Sequence, residues 1–254
     1  MYADPAAIGI RAAAAAQVFV DNPSSTSLSP DDAHHLSRVL RLRAGEEVIV
    51  SDGAGHWART RWVGGEHGAL ESVSGIAGPG GDGSVQFEEA PVPALTVAFA
   101  PTKGERPEWV VQKLTEVGID RIVPLLSERS VVRWEGERGA NAVERLRRVA
   151  REASAQCRRV WLPVVTEVVT FGDVAGLDAP GAVVLAQLSG DRPRADHTVV
   201  AVGPEGGWSV AELGTGLPTV GFGLSVLRAE TAAVMAGALM VSLRTGTVAA
   251  VGES

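Results

Sequence analysis

Two glycine-rich segments in the C-terminal half of the chain bring sharp turns and charged side chains together. The first, 203–207, reads Gly-Pro-Glu-Gly-Gly and stands between an apolar run and Ser209, which can begin a helix. The second, 221–232, has glycines ahead of Arg228 and Glu230. Glycine lets a backbone turn sharply and lie against a ligand. Neither segment matches a phosphate-binding P-loop or a dinucleotide fingerprint, so they indicate another kind of ligand site or plain strand–turn–helix connections.

Arg228 is the charged residue of these segments that most strongly suggests chemistry. It stands directly before a predicted helix, where a cation gains nothing from the helix dipole. An unfavourable local position invites a functional explanation. Glu205 and Glu230 are candidates for a general base by their location alone, and each also has a structural explanation at a helix start. The sequence does not identify a general base.

Basic residues are concentrated in the segment 34–61. This segment contains five arginines and three acids. Arg38 and Arg41 are spaced to project from the same side of a short helix. We expect a phosphate-binding surface, although an ordinary solvated helix and hairpin would show the same pattern. His34 and His35 have no surrounding acid or cysteine pattern, so no metal site is expected.

The predicted helix 142–160 carries a second group of basic residues. Its buried face consists of Val143, Leu146, Val149 or Ala150, Ala153, Cys157 and Val160. The rest of its surface is covered by Arg145, Arg147, Arg148, Arg151, Arg158 and Arg159, against only Glu144 and Glu152. The helix carries too few acids for its arginines to be paired by salt bridges within the helix, so we expect them either to contact a polyanion such as RNA or to form an ordinary solvated face.

The overall composition is that of a globular protein. The 254 residues are 45% hydrophobic and 21% charged, with a formal net charge of −7, and 21 of the 23 cationic side chains are arginine. Arginine suits bidentate phosphate contacts. The single cysteine, Cys157, excludes an intramolecular disulfide and a cysteine-rich zinc site. No signal peptide or membrane span is apparent, so we expect a soluble, cytoplasmic protein.

The N-terminal part of the chain has the pattern of a small β-barrel or sandwich. Four short β-like runs cover 17–20, 47–51, 58–63 and 69–73. Ser29 is placed to cap a short helix whose apolar stripe would consist of Leu36, Val39 and Leu40. The glycine- and proline-rich stretch 75–93 then predicts a linker.

After this stretch, strands and helices alternate, which predicts a mainly parallel sheet with helices on its faces. Strands are predicted at 95–100, 121–126, 183–186, 199–202 and 219–222. Helices are predicted to start at Pro107 and end at Gly118, to start at Ser209 with Glu212 completing a capping box, and to cover 142–160 and 229–243.

The order of these motifs resembles the RsmE-type branch of the SPOUT superfamily, enzymes that methylate N3 of a uridine in small-subunit ribosomal RNA. The resemblance rests on the Gly-Pro-Glu-Gly-Gly segment, on 224–232 with its Leu-Arg-Ala-Glu-Thr-Ala sequence, and on 35–45. Further matches are Lys113, Glu116 and Gly118, Pro124 with 127–130, and Glu152-Ala153 with Gln156 and Arg159. Ser225 departs from the family, which often has a basic residue there. The loop 186–190, which should lie near the cofactor, matches the family weakly.

The resemblance implies an α/β protein in two domains. Residues 1–80 would form a PUA-like, RNA-binding β-barrel, 81–93 a linker, and 94–254 a SPOUT methyltransferase domain with a C-terminal trefoil knot. It also implies a homodimer that acts on ribosomal RNA with S-adenosyl-L-methionine (SAM) bound in the knot. The cofactor-binding residues would be Leu185, Gly203, Pro204, Glu205, Gly206, Gly207, Phe222, Gly223, Leu224, Val226 and Leu227. RNA would be bound by Arg38, Arg41, Arg43, Arg129, Arg148, Arg151 and Arg159.

For that reaction the chain would hold SAM largely through backbone groups and apolar contacts, and position the uridine for methyl transfer. N3 must lose its proton, and Arg228 would stabilise the negative charge that spreads over the uracil oxygens. Two alternatives keep much of the same pattern. One is a SPOUT enzyme that methylates the ribose 2′-oxygen, and the other is an RNA-binding assembly factor without catalysis.

Overall fold

The structure is a computed structural model that describes residues 4–25, 27–64, 69–73, 85–177 and 183–249. The chain divides into two compact units: Met1–Pro91 with Ser154–Leu162, and Val92–Ala153 with Pro163–Ser254. The segment Ser154–Leu162 had been predicted in the second domain.

The first unit is built on a five-stranded sheet. In the order β1–β2–β3–β4, the β1–β2 pair is parallel and the others are antiparallel, and β5 also pairs with β3. The predicted N-terminal strands are therefore all present among the described residues. Its elements are α1 (Pro5–Ala13), β1 (Ala16–Phe19), α2 (Pro30–His34), β2 (Glu47–Ser51), β3 (His56–Gly64), β4 (Ala69–Ser72) and β5 (Val85–Phe87).

Part of the predicted linker is a strand, which corrects the sequence interpretation. Val85 and Phe87 have high β propensity, and the pairing of β5 with β3 outweighs the glycine and proline content that suggested a linker. Residues 75–84 of the predicted linker lie outside the described residues.

The short helix α2 also departs from its prediction. Ser29 caps it as expected, accepting a hydrogen bond from the Asp32 N–H at 3.0 Å, but the chain continues into a π-helical turn, His35–Val39. The wider turn rotates the following residues off the buried side. Leu36 is fully buried, whereas Val39 is 60% exposed, and the predicted apolar stripe is wrong beyond Leu36.

The segment Ser154–Leu162 belongs to the first unit, and both its backbone and its side chains are hydrogen-bonded to the N-terminal part of the chain. The Gln17 side chain donates to the Arg159 carbonyl at 2.6 Å, and Arg158 donates to the Ala14 carbonyl at 3.0 Å. Arg11 donates to the Arg158 carbonyl, and burial lowers the pKa of its guanidinium to about 10. Sequence periodicity could not predict these contacts, since their partners are far apart in the chain.

The second unit is an α/β domain. Its strands are β6 (Thr96–Phe99), β7 (Arg121–Leu126), β8 (Val164–Val165), β9 (Val169–Thr170), β10 (Val183–Asp191), β11 (Val199–Val202) and β12 (Thr219–Val220). Its helices are α3 (Arg106–Val117), α4 (Gly136–Gln156), α5 (Phe171–Ala175), α6 (Val210–Leu213) and α7 (Ala229–Arg244). The helix α4, whose final turn lies in the first unit, begins six residues before its predicted start at Ala142.

The sheet of this unit is parallel throughout its order β12–β10–β11–β6–β7–β8, as the alternating pattern predicted. Strands β6 and β11 are buried along their whole length, which explains why their sequences are apolar apart from Thr96. In a parallel sheet, the loops at the carboxyl ends of the strands meet at one edge. The glycine-rich segments follow β11 and β12 and therefore lie at that edge.

The helices α3 and α7 pack directly against each other. A Cβ at Gly237 of α7 would lie 2.7 Å from the Leu114 side chain of α3, so glycine is what permits this close approach. Gly118 ends α3 in the left-handed conformation, with φ of 106°, as predicted. Within the described part of the chain, no helix is both long and apolar enough to cross a membrane.

Candidate active site

A cavity of about 390 Å³ opens at the carboxyl edge of the sheet in the second unit. Four stretches line it: the middle of β10, the end of β11 with the loop that follows, the loop after β12, and the start of α7. Its lining consists of Ala186, Gln187, Leu188, Val202, Gly203, Pro204, Glu205, Gly207, Trp208, Phe222, Gly223, Ser225, Val226, Leu227, Arg228, Ala229 and Ala232. A pocket of this size, mostly apolar with a few polar groups, is typical of a site for a small organic ligand.

The first glycine segment folds as a tight turn against a buried tryptophan. The Gly207 N–H donates to the Pro204 carbonyl at 2.8 Å, and Gly207 has a φ of +68°. A Cβ at Gly203 would lie 3.1 Å from the Trp208 ring. The Trp208 indole N–H donates to the Ala186 carbonyl at 3.0 Å, so this ring connects two walls of the cavity.

The second glycine segment presents exposed side chains at the cavity. Gly223 has a φ of +131°, a conformation that L side chains rarely adopt. Val226 is 84% exposed although it lines the cavity. Arg228 is the exposed N-cap residue of α7, and its side chain makes no capping hydrogen bond.

Most of the predicted cofactor-binding residues meet at this cavity. Gly203, Pro204, Glu205, Gly207, Phe222, Gly223, Val226 and Leu227 line it. Leu185, Gly206 and Leu224 do not. The side chain of Leu185 lies in the hydrophobic core and Leu224 is fully exposed. Gly206 faces away, since a Cβ there would lie 3.6 Å from Arg129.

The two glutamates considered as general bases differ in position. Glu205 lines the cavity, whereas Glu230 is not among the lining residues. Both lie near the guanidinium of Arg106, at 3.7 Å for Glu205 and 3.6 Å for Glu230. Of the two carboxylates, that of Glu205 is therefore the one available to a molecule in the cavity.

Sequence interpretation missed Arg106 and much of the apolar wall. Trp208 directly follows the Gly-Pro-Glu-Gly-Gly segment, and that adjacency was the available signal. The segment 186–190 continues strand β10 and is not a loop, but its expected place near the ligand holds for Ala186, Gln187 and Leu188, which line the cavity. For Arg106 there was no local signal, because its two carboxylate partners lie about a hundred residues or more further along the chain.

Comparison with known proteins identifies the family. An RNA methyltransferase domain model matches residues 88–241, and an RNA methyltransferase PUA domain model matches 28–61. Ribosomal RNA small subunit methyltransferase E of Synechocystis sp. is 31% identical, over 84% of this chain and 71% of its own length. This chain belongs to the ribosomal RNA small subunit methyltransferase E family. The resemblance inferred from the sequence motifs is thereby confirmed.

A further relative and two solved structures also match most of the length of this chain. The enzyme of the same name from Mycobacterium tuberculosis is 31% identical, over 81% of this chain and 82% of its own. The "probable rRNA-methyltransferase" of Porphyromonas gingivalis has a TM-score of 0.73 at 27% identity, covering 92% of this chain and 100% of that one. A methyltransferase from Legionella pneumophila, solved with its bound cofactor SAM, has a TM-score of 0.71 at 26% identity, covering 88% and 96%.

Within the PUA domain match, the predicted RNA-binding arginines are solvent-exposed. Arg38, Arg41 and Arg43 are all exposed, and no ion pair engages them among the described residues. Arg41 lies beyond the helical turns with a φ of 56°, so it does not share a helix face with Arg38 as predicted. His34 and His35 are exposed too, and the described residues contain no group of three or more potential ligands that could hold a metal ion.

The arginines of α4 have more acidic partners than the sequence suggested. Arg145 forms an ion pair with Glu108 of α3, and Arg147 pairs with Glu144 and with Glu167. Of these pairs only Arg147–Glu144 lies within the helix, and the other acids come from elsewhere in the chain, which a count of acids along the helix could not include. Arg148 and Arg151 are exposed on the same helix.

The remaining two predicted RNA-binding arginines both make hydrogen bonds to carbonyl groups. Arg159 is half-buried, and its Nε donates to the Trp161 carbonyl at 3.1 Å. Arg129 is exposed, and its Nη1 donates to the Gly206 carbonyl at 3.0 Å. RNA binding by both residues stays a prediction.

Proposed function

We propose that this protein is a SAM-dependent methyltransferase that methylates N3 of a uridine in small-subunit ribosomal RNA. The observation that carries the proposal is the cavity formed by the Gly-Pro-Glu-Gly-Gly loop and the loop ending at Arg228, in a chain of this family. Both loops come from the carboxyl edge of a parallel sheet, where ligands of α/β proteins bind.

The residues at the cavity fit SAM by their chemistry. Leu188, Trp208 and Phe222 offer apolar surface for an adenine ring, and the glycines leave backbone polar groups accessible. The carboxylate of Glu205 offers negative charge to a cationic ligand. When bound, SAM supplies an electrophilic methyl group.

The chain's own residues would act on the uracil ring. Arg228 lines the cavity and offers its guanidinium to the uracil oxygens as N3 loses its proton. Glu205 is the candidate acceptor for that proton, because it is the glutamate that lines the cavity. Glu230 is a weaker candidate for this role, since it is not among the lining residues.

The finer features of the fold belong to the same proposal: a PUA-like barrel, a trefoil knot and a homodimer. A Cβ at Gly190 would lie 2.5 Å from the Val220 backbone, and one at Gly221 would lie 2.9 Å from the Gly190 carbonyl oxygen. This close approach belongs to the pairing of β10 with β12, and the knot is proposed from the family resemblance. The homodimer is likewise proposed from the family resemblance. Cytoplasmic location follows from a ribosomal substrate.

Mass spectrometry of the reaction product tests the proposal. Purified protein is incubated with SAM and either small ribosomal subunits or their naked RNA, and the nucleosides are then analysed. We expect 3-methyluridine, and its absence from every substrate would overturn the proposal. A 2′-O-methylated nucleoside instead would indicate the ribose-specific alternative. RNA binding without SAM binding in a calorimetric titration would indicate an assembly factor.

A further inference from the structure

A tight turn after β7 contacts the Gly-Pro-Glu-Gly-Gly loop. It consists of residues 127–130, a motif whose role the cavity does not explain. The turn is closed by two hydrogen bonds, from the Ser127 N–H to Ser130 Oγ and from the Ser130 N–H to the Ser127 carbonyl, both 3.0 Å long. Ser127 and Ser130 are buried, so the turn is fixed in the body of the second unit.

A buried carboxylate joins this turn to the end of the loop. Glu212 is 3% exposed and accepts hydrogen bonds from Ser127 Oγ at 3.2 Å and from the Glu128 N–H at 3.0 Å. It also accepts one from the N–H of Ser209, at 2.8 Å, which directly follows the loop and Trp208. The Glu212 capping box predicted from sequence thus does more than begin a short helix, because it anchors the exit of the loop to the turn.

Arg129 contacts the loop itself. Its Nη1 donates to the Gly206 carbonyl at 3.0 Å, and the α-carbon of Gly206 faces the Arg129 side chain. The loop is therefore held by the same turn at two points, Gly206 and Ser209. A glycine-rich loop loses much conformational entropy when a ligand orders it. Contacts that order the loop beforehand reduce that cost and raise affinity.

We propose that Arg129 is a positioning residue for the cofactor loop, which sets the affinity for SAM by holding the Gly206 carbonyl. This inference rests on the proposed function, in which SAM occupies the cavity. It assigns to Arg129 a role different from the phosphate contact predicted from sequence. The guanidinium does not line the cavity, so it acts on the ligand only through the loop.

The variants Arg129→Ala and Arg129→Lys test this role against a matched control, Arg133→Ala. Arg133 is an exposed arginine four residues away that faces Glu135 rather than the loop. Losing a hydrogen bond from a charged donor should raise the Kd for SAM about 3- to 30-fold in Arg129→Ala, measured by calorimetry. Arg129→Lys should recover part of the loss, because one donor suffices for one carbonyl. Arg133→Ala should bind SAM like the wild type.

Hydrogen–deuterium exchange of the peptide spanning 203–209, in protein without ligand, gives a second measurement that does not depend on SAM. Exchange there should be faster in Arg129→Ala than in the wild type and the control. Unchanged exchange and unchanged SAM affinity would overturn the inference. A loss of RNA affinity with both readouts unchanged would overturn it in favour of a phosphate contact. Faster exchange in Arg129→Ala, in a protein that does not bind SAM at all, would support the loop contact and reject the proposed function.

Discussion

The guanidinium of Arg106 lies 3.6 Å from the carboxylate of Glu230, Nε to Oε1, and this ion pair joins the first turns of α3 and α7. At the other end of the same helices, Arg244 donates to the Gly118 carbonyl at 3.0 Å. The two helices are thus held side by side at both ends. The neighbouring Arg228 has no ion pair among the described residues and lies exposed at the cavity.

Replacing Arg228 by alanine should slow methyl transfer far more than it weakens SAM binding. If the guanidinium stabilises charge developing on the uracil oxygens, its loss should lower the single-turnover rate about 100- to 1,000-fold. Arg228→Lys should recover only part of the rate, since a point charge cannot reproduce the planar fork. Single-turnover rate, SAM affinity and melting temperature are measured on the same preparations.

A structural role for Arg228 would give the opposite result. In that case the alanine variant would melt at lower temperature or lose a partner subunit, with methyl transfer nearly normal in the protein that remains folded.

Gly207 and Gly206 provide a matched pair within one loop. Gly207 lines the cavity with a φ of +68°, so Gly207→Ala should strain the backbone by about 1 kcal/mol and weaken SAM binding. At Gly206 a Cβ would make an ordinary contact of 3.6 Å with Arg129, so Gly206→Ala should have the smaller effect. Calorimetric titration with SAM compares the two variants. Equal losses of affinity would contradict the difference in their positions.

The double variant Arg38→Ala, Arg41→Ala should weaken RNA binding and reduce its dependence on salt. Each phosphate contact releases counterions, so RNA affinity falls as salt rises. Losing two contacts should make the negative slope of log K against log salt shallower by about 1.4 to 1.8. SAM affinity should stay as in the wild type. RNA affinity is measured by fluorescence anisotropy at several salt concentrations. A wild-type slope in the double variant would show that these exposed arginines do not contact phosphate.

The buried imidazole of His197 should make the protein less stable in mild acid. It is 9% exposed, its Nδ1 accepts a hydrogen bond from the Arg194 N–H at 3.3 Å, and burial lowers its pKa from the usual 6.5. The unfolded chain therefore takes up this proton at higher pH than the folded one. As pH falls below about 6.5, the free energy of unfolding should fall by up to about 1.4 kcal/mol per pH unit.

The variant His197→Asn keeps an acceptor for the Arg194 N–H and removes the titration. Its melting temperature should change less than that of the wild type between pH 7 and pH 5. Parallel curves for the two proteins would mean that His197 does not contribute. Asp191, Asp196 and Arg194 influence the same imidazole and are present in both proteins.

Local patterns predicted those elements whose signals lie close together in the sequence. The alternation of apolar strands and amphipathic helices gave a parallel sheet, and Ser209 with Glu212 gave a capping box that the structure confirms. The prediction failed where partners are distant. The strand β5 forms by pairing with β3, and two of the acids that pair with Arg145 and Arg147 come from outside their helix.

The sequence by itself determined the order of motifs, the family they indicate and the glycine segments that contain the site. Those follow from residue types at fixed spacing, because turns, caps and apolar periodicity act over a few residues. Only the tertiary structure decided which residues of those segments face the cavity. Gly206 faces Arg129 while Gly207 lines the cavity, and Arg106 reaches Glu205 and Glu230 from another helix. Such choices depend on the direction of each side chain after the sheet and helices pack, which spacing along the chain does not specify.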